Sequence, residues 1–360
     1  MCEVFRLSTR MSLRNTVLLG MLFGLICFGL GYSTLNRYDP GKIEGTPDAA
    51  DYTETVRIPL DIASYRPFVP ALAKPFYWAV DGHSGSWDPV LFGMLASTSI
   101  LTALTAVLIV AIGLEVGFAY SVSLLGALLF LLNFVVVNWS LAAYVDSGEA
   151  LFLALTVWSL LKGRWYLLPL WAIPGSLSKE TFAPFAVILA FVWWLNEKPR
   201  RPVNLLWVLA LAVLSGSAVL LSFSNGGLFA GSFHYTVSMG HYAKVGYARA
   251  VLRCLTAHEF RYTFMWLLPL GIWRLRLIDR RWTWSVLCTV VFALLLGGYG
   301  DAMGNASRAF FNISGPLLSL SAAALLVNLG RPAGDKSKFR DQEEAALRRQ
   351  VILQKSSIRE

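Results

Sequence analysis

The most acidic stretch of the chain is residues 36–86, between two long apolar runs, and it contains the first candidates for chemistry. Within it, PDAADY places Asp48 and Asp51 three residues apart, directly before Tyr52. If these residues form the first turn of a helix, both carboxylates lie on one side of it. A carboxylate there can act as a general base that takes a proton from a hydroxyl group. Acids at a helix start also serve as caps, which is the structural alternative.

Two further segments carry candidate binding groups. YRPFVP places Arg66 among aromatic residues and prolines, where a rigid interfacial turn with a snorkelling arginine is the alternative. SKET places Lys179 and Glu180 between Pro174 and Pro184, which leave the two flanking helices short. A bare outer turn is the alternative, but charged groups are costly to place near lipid, so a binding role is favoured.

The last candidates lie beside two later apolar segments. Asp146 follows Tyr144 and precedes an apolar run, so its alternative role is the N-cap of a helix. In GDAMGNASRAFFN, Asp301 and Arg308 flank a short turn, and a plain turn is the alternative. The candidates for substrate binding are therefore Tyr52, Arg66, Asp146, Lys179, Glu180, Asp301 and Arg308.

The loop predicted at 224–261 is rich in cations, histidines and aromatic residues. Its ionisable members include His234, His241, Lys244, Arg249, Arg253, His258 and Arg261. The cations suit a phosphate or pyrophosphate head group, while an aromatic belt at a membrane surface explains the Tyr and Phe residues equally well. The histidines lack a metal-binding spacing, so no metal site is predicted. No cofactor is predicted, and the participation of a divalent cation is left open.

The composition determines the class of protein that must position these groups. The 360 residues are 56% hydrophobic and only 15% charged, and the mean hydropathy is +0.56. A soluble globule of this size has no core large enough to bury so many apolar runs. Several runs reach the roughly 20 residues that cross about 30 Å of hydrocarbon, and alternating strand patterns are absent. The prediction is an all-α, polytopic transmembrane bundle.

About ten helices are predicted, with a long first extracytoplasmic loop at 36–87. They are expected near 15–35, 88–113, 117–139, 147–161, 165–178, 182–196, 203–223, 262–275, 282–299 and 309–328. The bundle accounts for residues 1–330, with a second outer loop at 224–261, and residues 331–360 form a charged cytoplasmic tail.

The distribution of charge predicts how the bundle is oriented. With the N-terminus inside, 20 of the 31 Lys and Arg residues lie on the cytoplasmic side, and 13 of the 22 acids lie outside. This follows the positive-inside rule. The expected location is the inner (plasma) membrane, multi-pass, with both termini cytoplasmic. The net charge of +9 is then an orientation signal and gives no reason to expect nucleic acid.

The position of the polar groups separates classes of membrane protein. Ion-coupled transporters and pumps place charged residues near the bilayer midplane. Here the four histidines and most acids outside the tail fall in predicted outer loops, and almost no ionisable residue lies deep in a predicted helix. This suits chemistry on a lipid head group at the membrane surface. Two alternatives stay open: a transporter or flippase of lipid-linked sugars, and a polymerase or ligase of surface polysaccharide that uses the loop 224–261.

The order of these motifs resembles bacterial members of the GT-C superfamily of integral membrane glycosyltransferases. The resemblance covers about residues 15–320: a first helix, an outer loop with PDAADY, then YRPFVPALA, a YVDS turn, SKET at a hairpin tip, and Asp301 and Arg308 before a helix with Pro316. It departs from members with adjacent acids in the loop, since two alanines separate Asp48 from Asp51.

This resemblance implies an inverting transfer of a sugar from a polyprenyl-phosphate donor to an acceptor hydroxyl on the extracytoplasmic side of the cell envelope. Asp51 or Asp48 would be the catalytic base or a metal-linked group. Arg66, Lys179 and Arg308 would hold the phosphate. The expected partners are the lipid-linked donor and the bilayer, and the acceptor and the sugar are left open.

Overall fold

The computed structural model of the chain describes residues 11–35, 52, 55–57, 66–83, 88–224, 247–297 and 306–329, and no β-strand occurs among them. They form thirteen α-helices. These are α1 (Leu13–Leu35), α2 (Phe68–Val80), α3 (Pro89–Val116), α4 (Tyr120–Leu131), α5 (Asp146–Leu161), α6 (Leu168–Ser178), α7 (Phe182–Asn196), α8 (Pro202–Ser224), α9 (Tyr247–Thr256), α10 (His258–Phe264), α11 (Leu267–Ile272), α12 (Arg280–Gly297) and α13 (Ala306–Leu329). The all-α class is confirmed for this part of the chain.

Four of the described helices, α1, α3, α8 and α13, are long and apolar enough to cross a membrane. Helices α3 and α13 are central, because 72% and 83% of their most apolar stretches are buried in the protein. For α1 and α8 the shares are only 22% and 28%, so their apolar side chains face the surroundings, as expected for helices in contact with lipid. The count of ten membrane-crossing helices stays a prediction.

The described residues of the predicted outer loop 36–87 include a helix, α2. Helix α2 begins directly after Pro67 and buries Val69, Ala73 and Lys74 on one face, at the spacing of an amphipathic helix. This face packs on α3 at Gly93, where an added Cβ atom would lie 2.7 Å from the carbonyl oxygen of Ala73. The absence of a side chain at Gly93 therefore lets the two backbones approach.

The predicted helix at 117–139 is interrupted. Helix α4 ends at Leu131, and a π-helical turn follows at Val136–Ser140. The side chain of Asn133 explains the break: its oxygen accepts the backbone N–H of Val135 at 3.0 Å, and its amide donates to the carbonyl of Thr263 at 3.1 Å. A side chain that bonds to nearby backbone competes with the helical ladder.

The predicted helix at 262–275 is also divided. Its residues belong to the end of α10, to α11, and to a 3₁₀ turn at Leu275–Leu277. Pro269 lies in the first turn of α11, where a helix tolerates the missing N–H group. Proline in this place favours a new helix start over a continuous helix.

Contacts between helix ends define two ends of the bundle. The ammonium of Lys162, after α5, donates to the carboxylate of Glu115 at the end of α3. The guanidinium of Arg281, at the start of α12, lies 5.5 Å from the ring centre of Trp193 near the end of α7. Helix α5 is about 24 Å long, and Asp146 is its first residue. The basic turns near Lys162 and Arg281 are therefore at the end opposite Asp146.

Candidate functional site

Asp146 connects three elements of the fold. One carboxylate oxygen, Oδ1, accepts from Nζ of Lys179 in the turn after α6 at 2.7 Å, and the other accepts from Nη1 of Arg308 in the first turn of α13 at 3.0 Å. The Asp146 side chain is 1% exposed. The N-cap residue of α5 is Val145, without a side-chain cap. The capping role considered for Asp146 is therefore wrong, and its carboxylate binds two cations instead.

Glu149 lies one turn further along α5 and extends this network inward. Its carboxylate accepts from the hydroxyl of Thr181, from Nδ2 of Asn312 at 2.8 Å, and forms an ion pair with Lys179 at 3.2 Å. The side chain is fully buried. Sequence reasoning missed Glu149, although its spacing of three residues from Asp146 places both acids on one face of the helix.

Arg66 connects the outer segment before α2 to the same turn. Its guanidinium donates from Nε and Nη2 to the two oxygens of Glu180, at 2.8 and 2.5 Å, and from Nη1 to the hydroxyl of Tyr52 at 2.7 Å. Two parallel bonds make this a bidentate pair. The φ angle of Arg66 is +51°, a left-handed conformation that is unfavourable for a side-chain residue. The arginine is thus fixed in a polar network and does not snorkel.

Arg308 is also held by aromatic rings. Its guanidinium carbon, Cζ, lies 4.4 Å from the ring centre of Trp139 and 5.4 Å from that of Tyr144. Trp139 comes from the π-helical turn, an irregularity that is frequent at functional sites. Ala143, in the same connection before α5, has a φ of +63°. Sequence reasoning missed Trp139, because the helix predicted there was continuous.

The charges of the network balance. Three cations, Arg66, Lys179 and Arg308, contact three carboxylates, those of Asp146, Glu149 and Glu180.

Two groups in the turn between α6 and α7 have shifted pKa values. Burial opposes the charged form of Lys179, but the Asp146 and Glu149 carboxylates outweigh this and raise its pKa. Burial likewise opposes ionisation of Glu180, but the Arg66 guanidinium holds the pKa of Glu180 below its ordinary range. Both side chains are therefore charged at neutral pH.

Several buried polar atoms at this end of the bundle have no hydrogen-bond partner within the part of the chain that the structure describes. They are Nε1 of Trp139, Oγ of Ser147, Oγ of Ser307, Nε of Arg308 and Oδ1 of Asn312. Most buried polar groups in proteins are paired, so these five atoms mark a candidate place for a bound ligand or an ordered water molecule.

The structure brings together most of the predicted binding residues. Arg66 contacts both Tyr52 and Glu180, and Asp146 contacts both Lys179 and Arg308. Asp48, Asp51 and Asp301 lie outside the described residues. In the predicted loop 224–261, Arg261 and His258 contact each other at 3.0 Å. Within the part of the chain that the structure describes, no three His, Cys, Asp or Glu residues are grouped to hold a metal ion.

Comparison of the sequence with models of protein families and with curated proteins gave no match. The resemblance to the GT-C superfamily therefore stays a prediction from the motifs.

Proposed function

We propose that this protein is an integral membrane glycosyltransferase that moves a sugar from a polyprenyl-phosphate donor to an acceptor hydroxyl on the extracytoplasmic face. The observation that carries the proposal is the charged network at one end of the bundle. It connects the segment next to PDAAD, through Tyr52 and Arg66, with the turn that carries Lys179 and Glu180. Through Asp146 it continues to Arg308.

This arrangement supports a division of roles. Asp51 is the proposed general base, with Asp48 as the other candidate, because Asp51 directly precedes Tyr52 in the chain. Tyr52 is buried and bonded to Arg66, so the segment that carries the acid is attached to the network. Arg66 and Lys179 position the surrounding segments, and Arg308 is the candidate for contact with the donor phosphate.

The proposed reaction is a single displacement with inversion. The carboxylate takes the proton of the acceptor hydroxyl as its oxygen forms a bond to the anomeric carbon. The bond between that carbon and the phosphate oxygen breaks, and both electrons leave with the lipid phosphate. Fixed cations stabilise the departing phosphate in a site shielded from bulk water. No acid is needed for the leaving group, since phosphate leaves as a stable anion.

The position of the cations weighs against the transporter alternative. Lys179 and Arg308 contact the same carboxylate of Asp146, so these groups form one cluster at the ends of α5, α6 and α13. A transporter of charged substrates is expected to have a polar track that continues through the bundle to its midplane. The basic turn that contains Lys162 lies at the other end of α5, about 24 Å from this cluster. The two charged regions are therefore separate.

The test of the proposal is sugar transfer by variants of the acidic segment. Asp51→Asn is expected to abolish transfer in membranes supplied with a radiolabelled polyprenyl-phosphate sugar, without lowering the amount of protein. Asp48→Asn is assayed in parallel because it is the second candidate, and Asp81→Asn is the control because Asp81 is exposed after α2. Full transfer by both Asp51→Asn and Asp48→Asn contradicts the base assignment, and no transfer by the wild-type protein from any such donor contradicts the function.

A further inference from the structure

Three hydrogen-bond donors around Arg308 are buried and have no acceptor. They are Nε of Arg308, the hydroxyl of Ser307 and the indole N–H of Trp139. Arg308 and Ser307 are 5% and 2% exposed, so bulk water does not satisfy them. Leaving a buried donor unpaired is unfavourable, and more so for a charged group.

The three donors do not bond to one another in the structure. Arg308 lies over the face of the Trp139 ring, and the N–H bonds of a guanidinium and of an indole lie in the planes of their own groups. Both nitrogens are donors only, and the hydroxyl of Ser307, which could accept, is not bonded to either of them among the described residues. All three donors need an acceptor that the described residues do not supply.

The surroundings favour a negatively charged acceptor. The first turn of α13 contains no acidic residue, and the N–H groups at a helix start attract anions. The Asp146 carboxylate, which contacts Arg308, accepts from Nη1 of Arg308 and from Lys179. Nε of Arg308 takes no part in this ion pair and is unbonded among the described residues.

We propose that Nε of Arg308, the Ser307 hydroxyl and the Trp139 indole N–H together bind a phosphoryl oxygen. The inference rests on the proposed function for the identity of the ligand, which is the phosphate of the polyprenyl-phosphate donor. It also assigns different roles to the three cations that were predicted to hold phosphate. Arg66 binds Glu180 and Tyr52, and Lys179 binds two carboxylates, so both act inside the network, while Arg308 contacts the donor.

Trp139→Phe is the sharpest test, because phenylalanine keeps a ring under Arg308 and removes only the N–H group. Trp193→Phe is the matched control. Trp193 also has an unpaired, buried indole N–H and an arginine over its ring, Arg281 at 5.5 Å, but it lies at the other end of the bundle. Ser307→Ala is a second variant that removes a different donor.

The measurement is binding of a radiolabelled polyprenyl phosphate to the purified full-length protein in detergent, with the matched polyprenol and with inorganic phosphate as competitors. Wild type and Trp193→Phe are expected to bind equally. Trp139→Phe and Ser307→Ala are expected to bind about tenfold more weakly, the effect of losing one hydrogen bond to a charged group. The polyprenol is expected to compete poorly.

The outcomes separate this inference from the proposed function. Three results would contradict the proposed phosphoryl-binding site. They are wild-type affinity in Trp139→Phe, equal competition by the polyprenol, and no binding of either phosphate compound. If only inorganic phosphate binds, and Trp139→Phe weakens that binding, the site stands and the lipid-linked donor is contradicted. If sugar transfer is observed and Trp139→Phe binds and transfers like wild type, the function stands and the site falls.

Discussion

Asp146 is a buried carboxylate in contact with two cations, Lys179 and Arg308. Taking charges out of water is costly, and the attraction between them compensates for this only while all partners are present. The aspartate therefore determines whether two other buried charges are tolerated. This follows from its contacts alone and does not depend on any catalytic role.

Asp146→Asn is expected to lower the free energy of unfolding by about 3–5 kcal/mol, because Lys179 and Arg308 lose the charge that they share. The measurement is thermal unfolding of the purified protein in detergent. The control is Asp81→Asn, in an exposed turn, which is expected to leave the midpoint temperature of unfolding unchanged. Equal midpoints for Asp146→Asn and wild type would show that the network is not a stabilising unit.

The Arg66–Glu180 pair predicts a dependence of stability on pH. Because Arg66 lowers the pKa of Glu180 in the folded protein, the stabilisation is fully present above the ordinary glutamate range, about pH 5, and is lost as the pH falls through the lowered value. The thermal unfolding midpoints of the wild type and of Glu180→Gln are expected to differ at pH 7 and to become equal at acidic pH. A difference that stays constant across this range contradicts the prediction.

At the scale of helices, the close contact between α5 and α6 sets the distance between Asp146 and Lys179. A Cβ atom added at Gly148 would lie 2.6 Å from Oγ of Ser178 and 3.1 Å from Cγ2 of Val69. Helices approach closely where small residues meet. The glycine therefore keeps the start of α5 near the end of α6.

Gly148→Ala is expected to destabilise the protein by about 1–3 kcal/mol, the usual effect of overpacking a filled interior. Gly216→Ala in α8 is the matched control, since a Cβ there meets nothing within 4 Å, and it is expected to be neutral or slightly stabilising. Thermal unfolding of both variants checks this. Equal effects of the two substitutions would contradict the role of Gly148.

Individual elements show how much of the site could be predicted from sequence. The candidates Arg66, Lys179 and Arg308 could be found because each interrupts apolar sequence beside a turn. Their partners could not be assigned, since ion pairs such as Arg308–Asp146 join residues 162 positions apart. Contacts at that separation depend on how the helices pack.

Two parts of the fold escaped prediction for local reasons. Helix α2 was hidden because its prolines, Pro70 and Pro75, are typical of loops, yet both lie within the helix. The π-helical turn that presents Trp139 depends on the hydrogen bond from Asn133 to Thr263. Sequence periodicity contains no information on such a distant backbone partner.

At the scale of the whole molecule, the orientation in the membrane is a prediction that can be tested directly. His83 follows α2 and Arg201 precedes α8, and both are exposed. In a protein whose own cysteines are replaced by serine, His83→Cys is expected to react with an impermeant thiol reagent in intact cells. Arg201→Cys is expected to react only after permeabilisation. The reverse pattern would place the charged network in the cytosol and remove the proposed function.

The unequal helix lengths have a consequence for the surrounding lipid. Helix α3, with 28 residues, is about 42 Å long, while α5 and α7, with 16 and 15 residues, reach only about 24 and 22 Å. Because α3 and α5 meet at Glu115 and Lys162, the network at the start of α5 is recessed below the far end of α3. Helix α5 is buried, whereas α7 is only partly buried, so lipid beside α7 is expected to thin to match its length. Reconstitution into bilayers with shorter acyl chains is therefore expected to raise the midpoint of thermal unfolding.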